Sequence, residues 1–431
     1  MVKNITFPPW LTRQNLLVGA MLSLTISPML SMAGFVGAAL VTVFGEAEGT
    51  WTRERKGLVI LLFALSLGFA WHNTQPEAIG PGRVAFTDYV PPLWFFFCLS
   101  WKPFPTAEVR KILYAFLFTV PQQFFLALGE IFLHWRGRFY FPLRKLPLLD
   151  LYWGPSEKGL KVSASFFNPN ILALYALMGV IFSLSLYFQE KDKEFVPSRL
   201  GKVRYFFLWT VFFFSALLLF WTGSRYAWFF LLAAVFFFGR MSTHWLLKLI
   251  GAVMLLATLL ALTHLFFPLP WLQAILPSVL TSKLTVFSED RGLYYQWAWE
   301  LIRTKPLWGW GIGTFPRLVA GRVRYTVLHA HSLPLQLGVE VGIPLAVSFL
   351  AFLIGLILLL GFRLSRKEKE EKHPDHLQRG LWAAAGIIFL MQIFDLALLM
   401  TYRLHFLFWL CLAIPFSQRV PSAARGTKEV Q

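Results

Sequence analysis

Apolar runs of about 17 to 25 residues, divided by short charged loops, recur along this chain from one end to the other. That is the length an α-helix needs to cross the hydrocarbon layer, and a helix pairs its own backbone groups where no water can. With 57% hydrophobic and 14% charged residues and a mean hydropathy of +0.58, the chain has too few charges to clothe a water-soluble globule. It reads as one all-α, polytopic membrane domain over residues 1–431 with about twelve transmembrane helices. They are expected near 14–30, 32–46, 57–72, 84–100, 110–133, 168–188, 204–222, 226–240, 244–266, 332–362, 380–399 and 403–418. Asn15 to Leu30 runs through a Pro-Met-Leu-Ser break into more apolar sequence, without a small-residue cleavage site, so the first helix is expected to be retained.

The net charge of +18 admits two explanations, nucleic acid or membrane topology. The basic clusters Arg53 to Lys56, Lys191 to Arg204 and Arg363 to Arg379 all fall in loops that helix alternation puts on one side, so topology accounts for most of the charge and no nucleic-acid partner is expected. Both termini and a basic loop at 363–380 are then cytoplasmic. Two long loops, 134–167 and 267–330, fall outside; the second is expected to carry short helices between helices nine and ten. Both are rich in Lys and Arg, and such a surface suits an anionic ligand. Cys98 and Cys411, the only cysteines, sit inside apolar runs and suggest neither a disulfide nor a thiolate metal site.

Three stretches carry candidate chemistry. In "WTGSRYAWFF", Arg225 occupies a tight turn between two apolar helices; it either snorkels to the interface or points into an outward-facing cavity. In "SEDRGLYYQWAWELIRTKPLWGWGIGTF", Ser288 is an N-cap candidate and Arg291 lies in the first turn. Leu293, Trp297 and Leu301 recur at helical spacing until Pro306. The free amides and positive dipole end of such a helix favour an anion, and the arginine adds to that field. Gly309, Gly311 and Gly313 then allow a close-approaching loop or a plain turn.

The third stretch is "LHAHSLPLQLGVEVGIP". His331 lies at the outer mouth of helix ten, Ser332 and Pro334 suit its start, and Gly338 with Gly342 makes a small-residue face. No cysteine or carboxylate cluster accompanies His329 and His331, so no metal is expected. Glu340, about two turns inside, is expected to pair with a loop arginine. Arg317, Arg322 and Arg324 either grip phosphate or are solvated.

In this order and at these separations, "GSRYAW", an arginine opening a helix before "KPLWGWGIGTF", and "AHSLPLQLGVEVGIP" resemble the signature of the O-antigen ligase and polymerase superfamily of bacterial membrane glycosyltransferases. "SFFNPNILALYAL", which contains Asn170, and "IFDLALLMTYRLHFLFWL" resemble its accessory motifs, closest to the branch linked to bicarbonate uptake in cyanobacteria. The resemblance spans about 150 to 415 and implies a metal-independent transferase of GT-C type without cofactor, in the bacterial inner membrane, with its catalytic cavity facing the periplasm. The implied donor is a glycan on undecaprenyl diphosphate and the implied acceptor another saccharide, such as lipid A-core. Arg225 and Arg291 match the arginines that hold the diphosphate, and His331 matches the histidine that assists the acceptor. His329, Arg317, Arg322, Arg324, Asn170 and Glu340 stand beside these as weaker substrate-binding candidates. Ser332 stands where the family pattern has asparagine, and His329 leaves open which histidine acts.

A ligase and a polymerase joining lipid-linked repeat units would use the same arginines and histidine. Anion transport, of bicarbonate type, is the competing class. It calls for charges across the midplane, for which Glu130 and Asp395 are the scattered candidates.

Overall fold

The computed structural model describes residues 8, 10–44, 53–74, 82–135, 137–143, 146–153, 162–166, 168–192, 199–241, 289–322, 327–371, 375–394 and 402–418. The first part runs α1 (Arg13–Ser23), α2 (Pro28–Phe44), α3 (Arg53–Asn73), α4 (Gly82–Leu99), α5 (Thr106–Phe118) and α6 (Val120–Phe132). Strands β1 (Gly137–Leu143) and β2 (Leu146–Trp153) and a 3-10 turn (Ala164–Phe166) follow. Then come α7 (Pro169–Lys191), α8 (Arg199–Thr222), α9 (Arg225–Met241), α10 (Glu289–Thr304), the single turn α11 (Phe315–Leu318), α12 (Leu333–Glu371), α13 (His376–Phe394) and α14 (Tyr402–Ser417).

Among the described residues five segments are long and apolar enough to cross a membrane: Glu54–Asn73, Thr106–Phe132, Pro169–Lys191, Gly201–Thr222 and Leu333–Glu370. Met29–Phe44, Tyr89–Leu99 and Leu404–Ser417 are shorter apolar helices. The expected helix at 244–266 lies outside the described residues. Two expected helices are shorter or divided in the structure, and proline is the common cause. The first stops at Ser23, before Pro28 opens α2, and the one expected at 110–133 divides at Thr119 into α5 and α6. Pro121 has no N–H for the Leu117 carbonyl, and the Thr119 hydroxyl bonds back to the Phe116 carbonyl at 2.6 Å.

The helices assemble around α7, whose residues from Ile171 to Leu186 are all buried, the signature of a helix apolar on every side and enclosed by others. Lipid is as apolar as leucine, so close packing rather than the hydrophobic effect holds such helices together. A Cβ on Gly34 of α2 would come within 2.9 Å of the Leu16 carbonyl oxygen of α1, a backbone approach that a larger residue would prevent. The outward faces are greasy: Ile60, Phe63 and Leu67 on α3, Phe206 and Phe213 on α8, and Val347, Leu358 and Phe362 on α12 are exposed.

One end of the bundle is laced with charge. Arg13 grips Glu108 through two bonds of 2.9 and 2.7 Å, donates to the Lys102 and Pro103 carbonyls, and lies over the Phe104 ring. Arg55 bonds the Trp101 carbonyl, Arg110 pairs with Glu190, His376 with Asp192, and Arg363 of α12 with Glu54 of α3. The region expected as a basic loop at 363–380 is helical through Glu371, its charges paired as Arg366 with Glu370, Arg379 with Glu368 and Lys367 with Asp375. Pairs of this kind let a helix continue into water.

The expected loop 134–167 also holds structure that the sequence reading did not place there. β1 and β2 form an antiparallel hairpin whose register shifts between Phe141 and Pro142, where the proline cannot donate to the ladder. Glu130 accepts from the Ser163 amide at 3.0 Å and Gln123 from the Ser165 amide and hydroxyl, fastening the 3-10 turn to α6. Glu130 thus serves a local backbone contact; Asp395 lies outside the described residues.

Candidate functional site at a broken helix

At the end of α3 opposite its Glu54–Arg363 pair, α12 is not one straight rod. Gly342 has φ 75° and ψ 166°, so the helix expected at 332–362 is two helices meeting at a break. The sequence "EVGIP" explains it. Pro344 has no N–H to offer the Glu340 carbonyl, and the Ile343 amide turns away to the Pro306 carbonyl at 2.8 Å. The Val339 and Glu340 carbonyls therefore lose their helical donors. They regain them from the glycine loop, Trp310 N to Val339 O at 2.8 Å and Gly311 N to Glu340 O at 2.9 Å. Orphaned carbonyls and free loop amides satisfy one another.

Glu340 fastens the same junction with its side chain. Its Oε1 accepts from the Gly313 amide at 2.9 Å and from Gln336 Nε2 at 2.6 Å, and the Tyr89 hydroxyl bonds it as well. Among the described residues the partners of Glu340 are not the expected loop arginine: it is buried, and main-chain amide, carboxamide and phenol meet it. A carboxylate this deep needs several donors, and amides fixed in place supply them without the rotamer entropy of a long cation.

Gln336 continues the chain of contacts, its Oε1 accepting from the Ala330 amide at 2.8 Å. Next along is His331, whose φ of 53° is left-handed, a conformation costing a residue with a side chain about 1–2 kcal/mol. Its amide donates to His329 Nδ1 at 3.2 Å and its carbonyl accepts from the Tyr295 hydroxyl at 3.4 Å. Its ring stacks on Tyr294 with centroids 5.5 Å apart and planes at 18°. His329 is buried and uses Nδ1 as an acceptor, which fixes its proton on the other ring nitrogen. His331 is half-buried.

Tyr294 and Tyr295 belong to α10, whose first turn carries half-buried Arg291. This helix packs against α12 through a small core of its own, with Tyr294, Ala298, Leu301, Ile302, Phe315, Val327 and Val339 buried together. Arg291 and His331 are thus brought into one unit by adjoining elements. Arg225 is placed by its backbone at the first position of α9, after Gly223 with φ 62°; its side chain lies outside the described residues. Arg322 is exposed, paired with Glu300 at 2.8 Å and lying over Trp297, while Arg317 is exposed at the end of α11. Arg324 lies outside the described residues. Asn170 sits in the first turn of α7, its amide donating to the capping Asn168 side chain at 2.8 Å. Among the described residues no group of three His, Cys, Asp or Glu side chains could hold a metal ion.

Sequence reasoning did not single out Gln336, Tyr89, Tyr294 or Tyr295. For Gln336 a signal existed, since it precedes Glu340 by one helical turn and such pairs meet. For Tyr89, far away in the chain, there was none.

A helical, multi-pass membrane protein with a polar junction of broken helix, glycine loop and histidine turn at one end is the class these features define. Residues 210–350, from mid α8 through Arg225, Arg291, His331 and Glu340, match the family model described as O-antigen ligase, which supports the resemblance to the O-antigen ligase and polymerase superfamily and that type of function. No curated protein matches the chain.

Proposed function

We propose that the protein is a metal-independent membrane glycosyltransferase that moves a glycan from undecaprenyl diphosphate to an acceptor saccharide, such as lipid A-core. It would act on the periplasmic side of the bacterial inner membrane, with both termini cytoplasmic. The observation that carries this reading is the fixed turn of His331, stacked on the helix that bears Arg291, within the matched segment. The charged belt at the opposite end of α3 and α12 supports the orientation, because cytoplasmic loops gather Lys and Arg.

In this mechanism Arg225 and Arg291 hold the diphosphate. As the glycosidic C–O bond breaks, its electron pair leaves on the phosphate oxygen, and the guanidinium groups stabilise the growing charge. The acceptor oxygen forms the new bond to the sugar carbon, and its proton passes to the unprotonated nitrogen of a neutral imidazole. Of the two histidines His331 suits the task, since His329 is buried and engaged by the His331 amide. Strain at a functional residue, here the φ of 53°, fits the same role.

The test is transfer by the purified protein in proteoliposomes from a radiolabelled undecaprenyl-diphosphate glycan. Product formed only with lipid A-core supports a ligase, and a ladder without it supports a polymerase joining repeat units. Donor that neither binds nor reacts refutes the reading and favours anion transport.

A further inference from the structure

The strand of contacts from the glycine loop to the histidine turn passes through two side chains. Gly313 N and Gln336 Nε2 both donate to Glu340 Oε1, and Gln336 Oε1 accepts from Ala330 N, the amide next to His331. Gln336 and Glu340 are both at most 4% exposed, so water cannot replace these bonds. Each end of the carboxamide is committed: its oxygen to the turn, its nitrogen to the acid. The acid in turn is anchored to Gly313 and to Tyr89 of α4. This is more than a cap, because it reaches past the start of α12 to the Ala330 amide, beside a residue held in the left-handed region.

We propose that Gln336 and Glu340 are a positioning pair that sets the backbone turn, and hence the ring direction, of His331 from the rigid junction of the glycine loop and the broken helix. The proposal takes His331 as the acting histidine, as argued above. Both residues are buried and act through the geometry of the proton acceptor, where a displacement of about 1 Å costs about 100-fold in rate.

The orientation of the carboxamide supplies a test. Gln336→Glu keeps an acceptor for Ala330 N but turns a second carboxylate toward Glu340, so the link breaks and charges repel. Glu340→Gln alone leaves an oxygen for Gly313 N and Gln336 Nε2 and should be mild. Gln336→Met, close in volume but with neither donor nor acceptor, leaves both Ala330 N and Glu340 Oε1 without the side chain that joins them and breaks the link without adding a charge.

We would measure transfer kinetics of the full chain in lipid nanodiscs, together with the nitrogen-15 resonance of the His331 ring. Gln336→Glu is expected to lower kcat about 100-fold with KM little changed, and to shift the His331 resonance. Gln336→Met should do the same, and Glu340→Gln should leave both close to wild type. A resonance unmoved in folded Gln336→Glu and Gln336→Met overturns the positioning role. A fully active His331→Gln enzyme overturns the histidine's catalytic part instead, and the resonance then decides the positioning by itself.

Discussion

Gly309 and Gly342 meet backbone to backbone: a Cβ added to Gly309 would come within 2.6 Å of the Gly342 nitrogen and of the Glu340 carbonyl carbon and oxygen. One on Gly342 would run onto the Leu307 carbonyl. Both have left-handed φ, 63° and 75°, so neither position tolerates a side chain on conformational grounds either.

Gly309→Ala and Gly342→Ala should each therefore destabilise the protein by ~2 kcal/mol or more, strain and clash adding. Gly292→Ala, with open space around its Cβ in α10, serves as the reference and should hold or raise stability. Thermal melts of detergent-purified protein would decide. Equal melting of all three would mean the junction is looser than its geometry implies.

At the other end, Arg13 and Glu108 form a buried pair with side chains 4% and 9% exposed. Arg13→Met should cost ~3–5 kcal/mol, because the Glu108 charge is left behind without its partner. Adding Glu108→Leu should recover much of it. If the double variant is no more stable than the single, the pair is not a coupled unit.

For the proposed diphosphate clamp, Arg225→Ala should abolish transfer without loss of folded protein. Arg291→Lys should reduce kcat/KM by roughly 30- to 100-fold, since a point charge loses the planar two-pronged grip worth about 2–3 kcal/mol in a charged hydrogen bond. Steady-state kinetics in proteoliposomes would show it. Wild-type values in Arg291→Lys would remove Arg291 from the clamp.

Chelation offers a fourth check. The clamp gathers positive charge from guanidinium groups, so transfer should proceed unchanged after dialysis against EDTA. Activity lost on chelation and regained with a divalent ion would overturn the metal-free mechanism.

Much of the fold could be read from the chain because membrane burial imposes a local rule: backbone must pair within each helix, so span after span declares itself by length and apolarity. Arg291 in the first turn of α10 and the His329–His331 turn before α12 were legible for the same local reason. Helix ends were less so. Pro121 and Pro344 were visible, but whether a proline kinks, divides or is absorbed depends on who receives the orphaned carbonyl.

Glu340 shows where local reading stops. Its burial followed from the sequence; its partners did not, because Gly313 is 27 residues away and Tyr89 lies on another helix altogether. The chain by itself determined a bundle of apolar helices, its basic end, and which arginines and histidines stand near helix mouths. Only the tertiary structure decided that α12 breaks at Gly342, that the glycine loop fills the break, and that Gln336 and Glu340 link this junction to the Ala330 amide beside His331. Spans follow from each segment's own contact with lipid, whereas unpaired carbonyls find donors across sequence distances that no local pattern encodes.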